Sequence, residues 1–450
     1  MAEQLKNTYS DDYIERLAKT IKRFNPDFTE HKFIKDVLEN GWSDLELKQR
    51  MARISESIHG NLSCSYKESI EVLNESAAIF TNGFGFFFPD YIEKYGMDDW
   101  NTSMKGLEVQ TIYSTSEFAI RPFIVKDQSK AMKQMTKWSK SKNEHVRRLA
   151  SEGCRPRLPW SFSLKELVKN PAPIIPILEN LISDDSLYVR KSVANNLNDI
   201  SKDHPDLALK LALKWYKTGN EHSKWIVKHG MRTLLKAGNA KALKIFGYKG
   251  KEIFKDISFE VLTPLVLHND KLKTHINFSL KRKAIVRIEY AIHFLRKKGD
   301  WGKKVFKFSE KEIAKGEHII EREHHFKTMT TRAYNEGVHG FEVILNGQSF
   351  GIKPFVYWKE SSPYQVYMLK TKRNTLYCGV TTDVNRRYQE HLGHRPGGAK
   401  FTKAQTPEAL LYLEKSLNRS SAQKRESEIK KLKRPAKEIL INHSFGMSPS

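Results

Sequence analysis

The sequence predicts a chain of several domains: an all-α solenoid of helical repeats, then a small β-sandwich, then a compact α/β unit. Three changes of pattern along the 450 residues predict it. Apolar residues recur at three- and four-residue spacing through roughly the first 255 positions, as in helices with one buried face. Alternation of apolar and polar residues takes over beyond position 272, as in strands. From position 361 onward the chain becomes strongly basic, with 17 Lys and Arg against 7 Asp and Glu. A chain of this length has room for about two to four domains with substantial cores.

Composition narrows the function classes. Lys and Arg number 77 against 52 acidic residues, a formal charge of +25. Such a charge calls for a polyanionic partner, and nucleic acid fits before a membrane surface. No apolar run approaches the roughly 18 residues that span a bilayer, and no lipidation motif is present, so membrane binding is disfavoured and no membrane partner is expected. The opening Met1-Ala-Glu-Gln-Leu-Lys6 does not read as a signal peptide. Cys64, Cys154 and Cys378 are isolated in sequence. That spacing excludes a cysteine-rich zinc module and points to reduced thiols in a cytoplasmic protein, which a DNA partner would make nucleoid-associated.

In the helical part (residues 1–255), Ile70, Leu73, Ala77 and Phe80 form an apolar stripe that Asn82-Gly83 and Gly85 interrupt before the aromatic run Phe86 to Phe88. A weak repeat follows. Val146-Arg147 recurs as Val189-Arg190 about 43 residues later, and Lys224-Trp-Ile-Val-Lys-His-Gly230 is a looser third copy. That interval matches HEAT-type repeats, which stack into a curved solenoid. Between the copies lies Ala150 to Trp160, where Gly153 ends a helix and Pro156 and Pro159 stiffen the exit. Glu152, Arg155, Arg157 and Trp160 fall on this stretch. Two guanidiniums suit phosphates and an indole suits a sugar or base face, but phosphates alone do not call for a carboxylate. Taken alone, those residue types fit an ordinary inter-helix turn better, with a buried tryptophan and solvated arginines.

The β part is expected over 272–357. Val286, Ile288, Tyr290, Ile292 and Phe294 alternate with Arg287, Glu289, Ala291 and His293, the pattern of a half-buried strand. Phe341 to Leu345, then Asn346-Gly347, then Gln-Ser-Phe reads as a tight hairpin. Residues 358–363, containing Lys359-Glu-Ser-Ser-Pro363, read as a linker.

The last part, 364–443, begins with the short strands Gln365 to Leu369 and Leu376 to Val380. A helix starts near Asp383, a good N-cap, with Val384, Arg387, Tyr388 and His391 on one face. A later helix after Ser420 carries Glu426 and Ile429. Gln365-Val-Tyr367, Tyr377-Cys-Gly379, Arg387, His391, Gly397-Gly-Ala-Lys-Phe-Thr402 and Glu426 to Lys430 together resemble the GIY-YIG nuclease family, in its compact single-domain subgroup. The match departs at Gln365, where the name-giving glycine is absent. The resemblance implies phosphodiester cleavage with Mg²⁺ or Mn²⁺. Tyr377 or Tyr367 would position or deprotonate the water, and Arg387 would hold the phosphate. His391 would belong to the catalytic set, and Glu426 would bind one metal ion. Such chemistry needs an activated water, charge on the phosphoryl oxygens and help for the leaving oxygen.

Ala150 to Trp160, Ser116-Glu117 to Phe123 and Asn195-Asn-Leu-Asn-Asp199 together resemble the AlkC branch of the HEAT-like alkylated-base DNA glycosylases. That branch carries an immunoglobulin-like (Ig-like) domain after its solenoid, and Thr328-Met-Thr-Thr-Arg-Ala-Tyr334 matches its most recognisable stretch. The resemblance implies that Glu117, Glu152 and Asp199 form a catalytic acidic cluster with Trp160, that Arg155 and Arg157 contact duplex DNA, and that this half needs no cofactor. The spacing agrees: the three acids lie about 35 and about 47 residues apart, close to one repeat each. Carboxylates are unfavourable beside phosphates but suit a cationic target. A base alkylated at N3 is cationic, and breaking its N-glycosidic bond builds positive charge on the sugar. Each preorganised carboxylate is worth about 3 kcal/mol by analogy with other electrostatic sites, and Trp160 is placed to stack on the sugar or the cation.

The expectation is therefore an alkylbase glycosylase fused to a metal-dependent endonuclease, acting on alkylated double-stranded DNA. Two rivals stand beside it: a non-catalytic DNA-binding solenoid that targets a working nuclease, and a glycosylase whose basic tail only binds DNA.

Overall fold

The computed structural model describes residues 5–80, 84–329 and 333–444. Met1 to Gln4, the helix interruption expected at Asn82-Gly83, and Thr330, Thr331 and Arg332 of the 328–334 stretch lie outside the described residues. The chain divides into two compact units, Met1–Leu234 and Leu235–Ser450.

The first unit is helical throughout. Ile70, Leu73 and Ala77 are buried on the helix Tyr66–Ile79, and Phe80 caps its end. Ser65 and Glu68 start that helix with a reciprocal capping box. The weak repeat has a mechanical cause. Helices Glu144–Glu152 and Leu187–Asp203 each bury the valine of the Val-Arg pair. The arginine folds back onto the turn before its own helix. Arg147 donates to the carbonyls of Ser141 and Lys142 at 3.0 and 2.9 Å, and Arg190 to those of Asp184 and Asp185 at 2.8 Å each. The same residue thus closes the same turn in both copies. In the third copy, helix Glu221–Gly230, Val227 is again buried but Lys228 stands at the arginine position.

The second unit opens with short helical segments and then carries eleven strands among the described residues. They are β1 (Phe254–Val261), β2 (Leu265–Leu267), β3 (Lys271–Leu280), β4 (Ala284–Leu295), β5 (Trp301–Ile313), β6 (Gly316–His325), β7 (Gly337–Leu345), β8 (Gln348–Trp358), β9 (Tyr364–Thr371), β10 (Leu376–Thr381) and β11 (Pro407–Ser416). Sheets β1-β3-β6 and β2-β8-β7-β4-β5 form the Ig-like sandwich. Phe259, Ile276, Phe278, Tyr290, Phe341 and Phe355 share its core. The sandwich starts at Phe254, ahead of the expected 272. A register shift between Lys255 and Ser258 breaks the alternation of β1, and β2 is only three residues long, so neither reads as a strand in sequence.

β4 is covered on both faces rather than half-buried. Its polar set survives burial by pairing: Arg287 bonds Glu289 at 2.5 Å and Glu310 at 3.3 Å, and His293 meets Glu342 at 2.7 Å. The β7–β8 hairpin turns on Asn346 and Gly347, both at positive φ (48° and 72°), as a two-residue primed turn requires.

The third sheet, β10-β9-β11, belongs to the C-terminal α/β module. Its helix Val384–Leu392 is capped by Asp383, whose side chain accepts from the Arg386 N–H. The segment read as a linker is held at both ends. Trp358 is the last residue of β8, Lys359 N donates to Glu336 at 2.7 Å, and the Ser362 hydroxyl bonds the carbonyl of Tyr364 at 2.9 Å. Only residues 359–363 separate β8 from β9.

Candidate functional site

In the helical unit, the three acids come from separate segments: Glu117 from the turn before helix Ile120–Lys126, Glu152 from the end of Glu144–Glu152, Asp199 from the middle of Leu187–Asp203. They are 8%, 5% and 1% exposed, and two arginines link them. Arg148 pairs with Glu117 and stands 3.8 Å from Glu152. Arg155 donates to Glu152 at 2.6 Å and to Asp199 at 2.9 Å, and Lys202 takes the other Asp199 oxygen at 3.0 Å. Burial works against both guanidinium charges, yet the adjoining carboxylates hold each pKa above its ordinary value. Three cations balance three anions, so the cluster offers positioned lone pairs rather than a net negative field. Among the described residues, Glu117 Oε1 and Glu152 Oε2 receive no hydrogen bond, whereas both oxygens of Asp199 are engaged.

The two arginines of the opening motif part company. Arg155 is buried and donates through Nε to Asp199 and through Nη1 to Glu152. Arg157 is exposed and holds Asp203 through two bonds of 2.8 and 2.9 Å. Trp160 is not the buried tryptophan of an ordinary turn. It is 65% exposed and sits at φ 64°, a conformation bulky residues rarely adopt. Its carbonyl accepts from Lys48. Sequence reasoning missed the residue that holds this turn. Arg121 is fully buried and donates to the carbonyls of Gly153, Arg155 and Phe162 at 3.0, 2.8 and 2.5 Å, so one side chain shapes the whole turn. Burial pulls its pKa down to about 10. Gly153 is required by close approach, since a Cβ there would meet Ile120 at 2.6 Å. Arg148 and Tyr188, whose ring lies 5.1 Å from that guanidinium, were also missed because their relation to the acids is long-range.

In the C-terminal module, Tyr367, Tyr377, Arg387 and Glu426 line one cavity of about 440 Å³, together with Gly379, Arg386, Arg419 and Gln423. Tyr367 on β9 pairs across the sheet with Gly379 on β10, and a Cβ at Gly379 would meet the Tyr367 hydroxyl at 2.5 Å. The glycine of the second signature is therefore space for the tyrosine of the first. The departure at Gln365 also has a role: its side-chain oxygen accepts from Val384 N at 2.8 Å and helps seat the 384–392 helix.

His391 lies behind the cavity wall, 2% exposed, with Nε2 2.7 Å from the Tyr367 hydroxyl and Nδ1 2.7 Å from Thr402 Oγ1. The Thr402 hydroxyl donates to the Ala399 carbonyl at 2.9 Å, so it accepts from Nδ1–H, and Nε2 is left to accept from Tyr367. Burial and then Arg387 push the His391 pKa down to about 4, which keeps it neutral and able to accept. Burial and the Tyr377 hydroxyl raise the pKa of Tyr367. Arg387 is steadied by Glu390 at 2.6 Å and the Gly397 carbonyl at 2.8 Å. Glu426 bonds Lys430 through Oε1 at 2.8 Å, and its Oε2 receives no bond among the described residues. No cluster of three His, Cys, Asp or Glu side chains occurs among the described residues. One carboxylate with a free oxygen in a polar cavity fits a largely hydrated Mg²⁺ or Mn²⁺.

These features define a class: a helical DNA alkylation repair domain, an Ig-like domain and a GIY-YIG domain in one chain. Residues 109–234 match the DNA alkylation repair enzyme family, 255–357 the C-terminal Ig-like domain of YhaZ, and 363–439 the GIY-YIG catalytic domain. The chain belongs to the YhaZ family. It is 44% identical over 345 residues to YhaZ of Bacillus subtilis, spanning 76% of this chain and 96% of that protein. The structure of Pseudomonas fluorescens alkylpurine DNA glycosylase AlkC, bound to DNA containing an abasic site analog, superposes with a TM-score of 0.76 at 36% identity, covering 79% of this chain and all (100%) of AlkC. The C-terminal module is 41% identical over 86 residues to a UPF0213 protein of Natronomonas pharaonis, 19% of this chain and 99% of that protein. No described helix is long and apolar enough to cross a membrane.

Proposed function

We propose that this chain is a cytoplasmic DNA repair enzyme with two activities. Its solenoid hydrolyses the N-glycosidic bond of N3-alkylated bases, of the 3-methyladenine or 3-methylcytosine type, in duplex DNA. Its GIY-YIG module cuts phosphodiester bonds with Mg²⁺ or Mn²⁺, acting at the abasic product. The observation that carries the first activity is the convergence of Glu117, Glu152 and Asp199 into one network, with Trp160, five residues beyond Arg155 in sequence, exposed and held at positive φ.

Glu152, with a free oxygen, is the better-placed acid to orient the water. Asp199 anchors Arg155 and through it fixes Glu152. Arg155 is thereby a positioning residue, and Arg157 the arginine free to exchange Asp203 for a phosphate. In the second site Tyr367 donates its proton towards neutral His391, which turns its oxygen lone pairs to the cavity for a water. Arg387 faces the same cavity and suits the phosphate. A metal ion at Glu426 would supply charge to the phosphoryl and leaving oxygens.

The test incubates an N3-methylated duplex with and without Mg²⁺ and separates free base from cut strand. Base release in both conditions and cutting only with metal supports both activities. The charge balance of the acidic cluster favours a second reading, a non-catalytic DNA-binding solenoid that targets the nuclease. Cutting without any base release in the same assay would select it.

A further inference from the structure

The helix Val384–Leu392 is divided lengthwise. At about 100° per residue, Val384, Asn385, Tyr388, Gln389 and Leu392 occupy one half of its surface, and Arg386, Arg387, Glu390 and His391 the other. The second half serves the cavity. The first half is turned to the β-sandwich, so the four-residue stripe legible in sequence splits down its middle. Val384 and Tyr388 share one buried cluster with Leu265, Val338, Val356 and Trp358 of the sandwich and with Tyr367 of the cavity.

The polar contacts are more specific. β2 is an edge strand that pairs with β8 on one side. On its open side Leu265 N donates to Asn385 Oδ1 at 2.9 Å, and Asn385 Nδ2 donates to Leu265 O at 2.8 Å. A carboxamide carries the donor and acceptor of a peptide group, so Asn385 completes the edge as one residue of a further strand would. One turn along, Gln389 donates to the Leu262 carbonyl at 2.6 Å. Lys415 adds an ion pair to Glu336 at 3.0 Å.

We propose that the sandwich is the positioning wall of the nuclease: Asn385 and Gln389 fix the helix against β2 and thereby set where Arg387 and His391 stand. The C-terminal module is then not an independent passenger. A relative in which 86 matched residues make up 99% of the protein has no such wall, so the dependence belongs to the fused chain. The proposal rests on the cleavage reading for its activity measurement alone.

The test uses the full chain with Asn385→Ala, Asn385→Asp, Gln389→Ala and, as a control, Arg387→Ala. Amide hydrogen exchange at Leu265 is read beside cutting kinetics. Exchange at Leu265 should quicken about tenfold or more in Asn385→Ala and stay slow in Asn385→Asp, which still accepts. Cutting should lose about tenfold to a hundredfold in kcat with little change in KM in Asn385→Ala, since helix placement and not substrate contact is disturbed. Asn385→Asp should recover part of that loss, and Gln389→Ala should share the kcat defect. Arg387→Ala should stop cutting and leave Leu265 protected. Unchanged Leu265 exchange in Asn385→Ala, or lost protection with unchanged kcat, overturns the proposal. A parent chain that cuts no DNA overturns the cleavage reading instead, and Leu265 exchange then decides the wall by itself.

Discussion

Side chains that hold one another at fixed charge can be tested by removing charge and keeping shape. Asp199→Asn and Glu152→Gln should each slow base release by about 100- to 1,000-fold while duplex binding stays near the parent value. Asp199→Asn should also release Arg155, so its effect on thermal stability should exceed that of Glu152→Gln. Unchanged release rates in both variants would refute the role of the acids. In the other half, Glu426→Ala should abolish metal-dependent cutting, and Tyr377→Phe should abolish it while preserving fold and DNA binding. Addition of a chelator to the intact chain should stop cutting and spare base release. Cutting by Glu426→Ala at the parent rate would remove the proposed metal ligand. At this scale the sequence was most legible where one residue type carries the chemistry. Tyr367, Tyr377, Arg387 and Glu426 do meet in one cavity. It was least legible where a side chain acts through a distant backbone. Arg121 holds three carbonyls far along the chain, and Arg155 turns inward because Asp199 lies a repeat away.

Single elements show why some patterns misled. β4 alternates as a half-buried strand should, yet it is covered on both faces, because ion pairs among Arg287, Glu289 and Glu310 let polar residues be buried. No local pattern announces a partner on another strand. His339 on β7 is a related case with a measurable consequence. It is fully buried (0% exposed), stacks on Phe355, accepts from Leu295 N at 3.2 Å and bonds the Asn335 carbonyl at 2.9 Å. Burial pushes its pKa down to about 4. The unfolded imidazole, at its ordinary value near 6.5, takes a proton first as pH falls. Stability from this group is therefore complete above pH 6.5, declines between 6.5 and 4, and is down by about 2 kcal/mol at pH 5. Melting of the Ig-like domain should follow that window. His339→Gln, which keeps a donor and an acceptor but does not titrate, should flatten the slope, and an unaltered slope would show that another group sets it.

At the scale of the whole chain, the order of domains was legible from composition and period alone, while the bond between the last two was not. The 358–363 segment reads as a linker because Lys, Glu, Ser and Pro dominate it, but Glu336, Ser362 and the shared core around Trp358 hold it in place. On the proposed reading, joining a base-releasing solenoid to a strand-cutting module in one chain has a kinetic consequence that can be measured. Hydrolysis of the glycosidic bond leaves an intact abasic strand, which still needs incision before repair. A nuclease in the same chain meets that product at an effective concentration far above a nanomolar solution. The intact chain should therefore cut alkylated duplex faster than undamaged duplex. The comparison that isolates the covalent link mixes two full-length proteins at nanomolar concentration, Asp199→Asn with Glu426→Ala, so that each supplies one activity. The mixture should release base at the rate of its active solenoid but lag in cutting, with a delay that shortens as concentration rises. Equal cutting of damaged and undamaged DNA by the intact chain, or a mixture as fast as the intact chain, would separate the two activities and leave the nuclease with a substrate of its own.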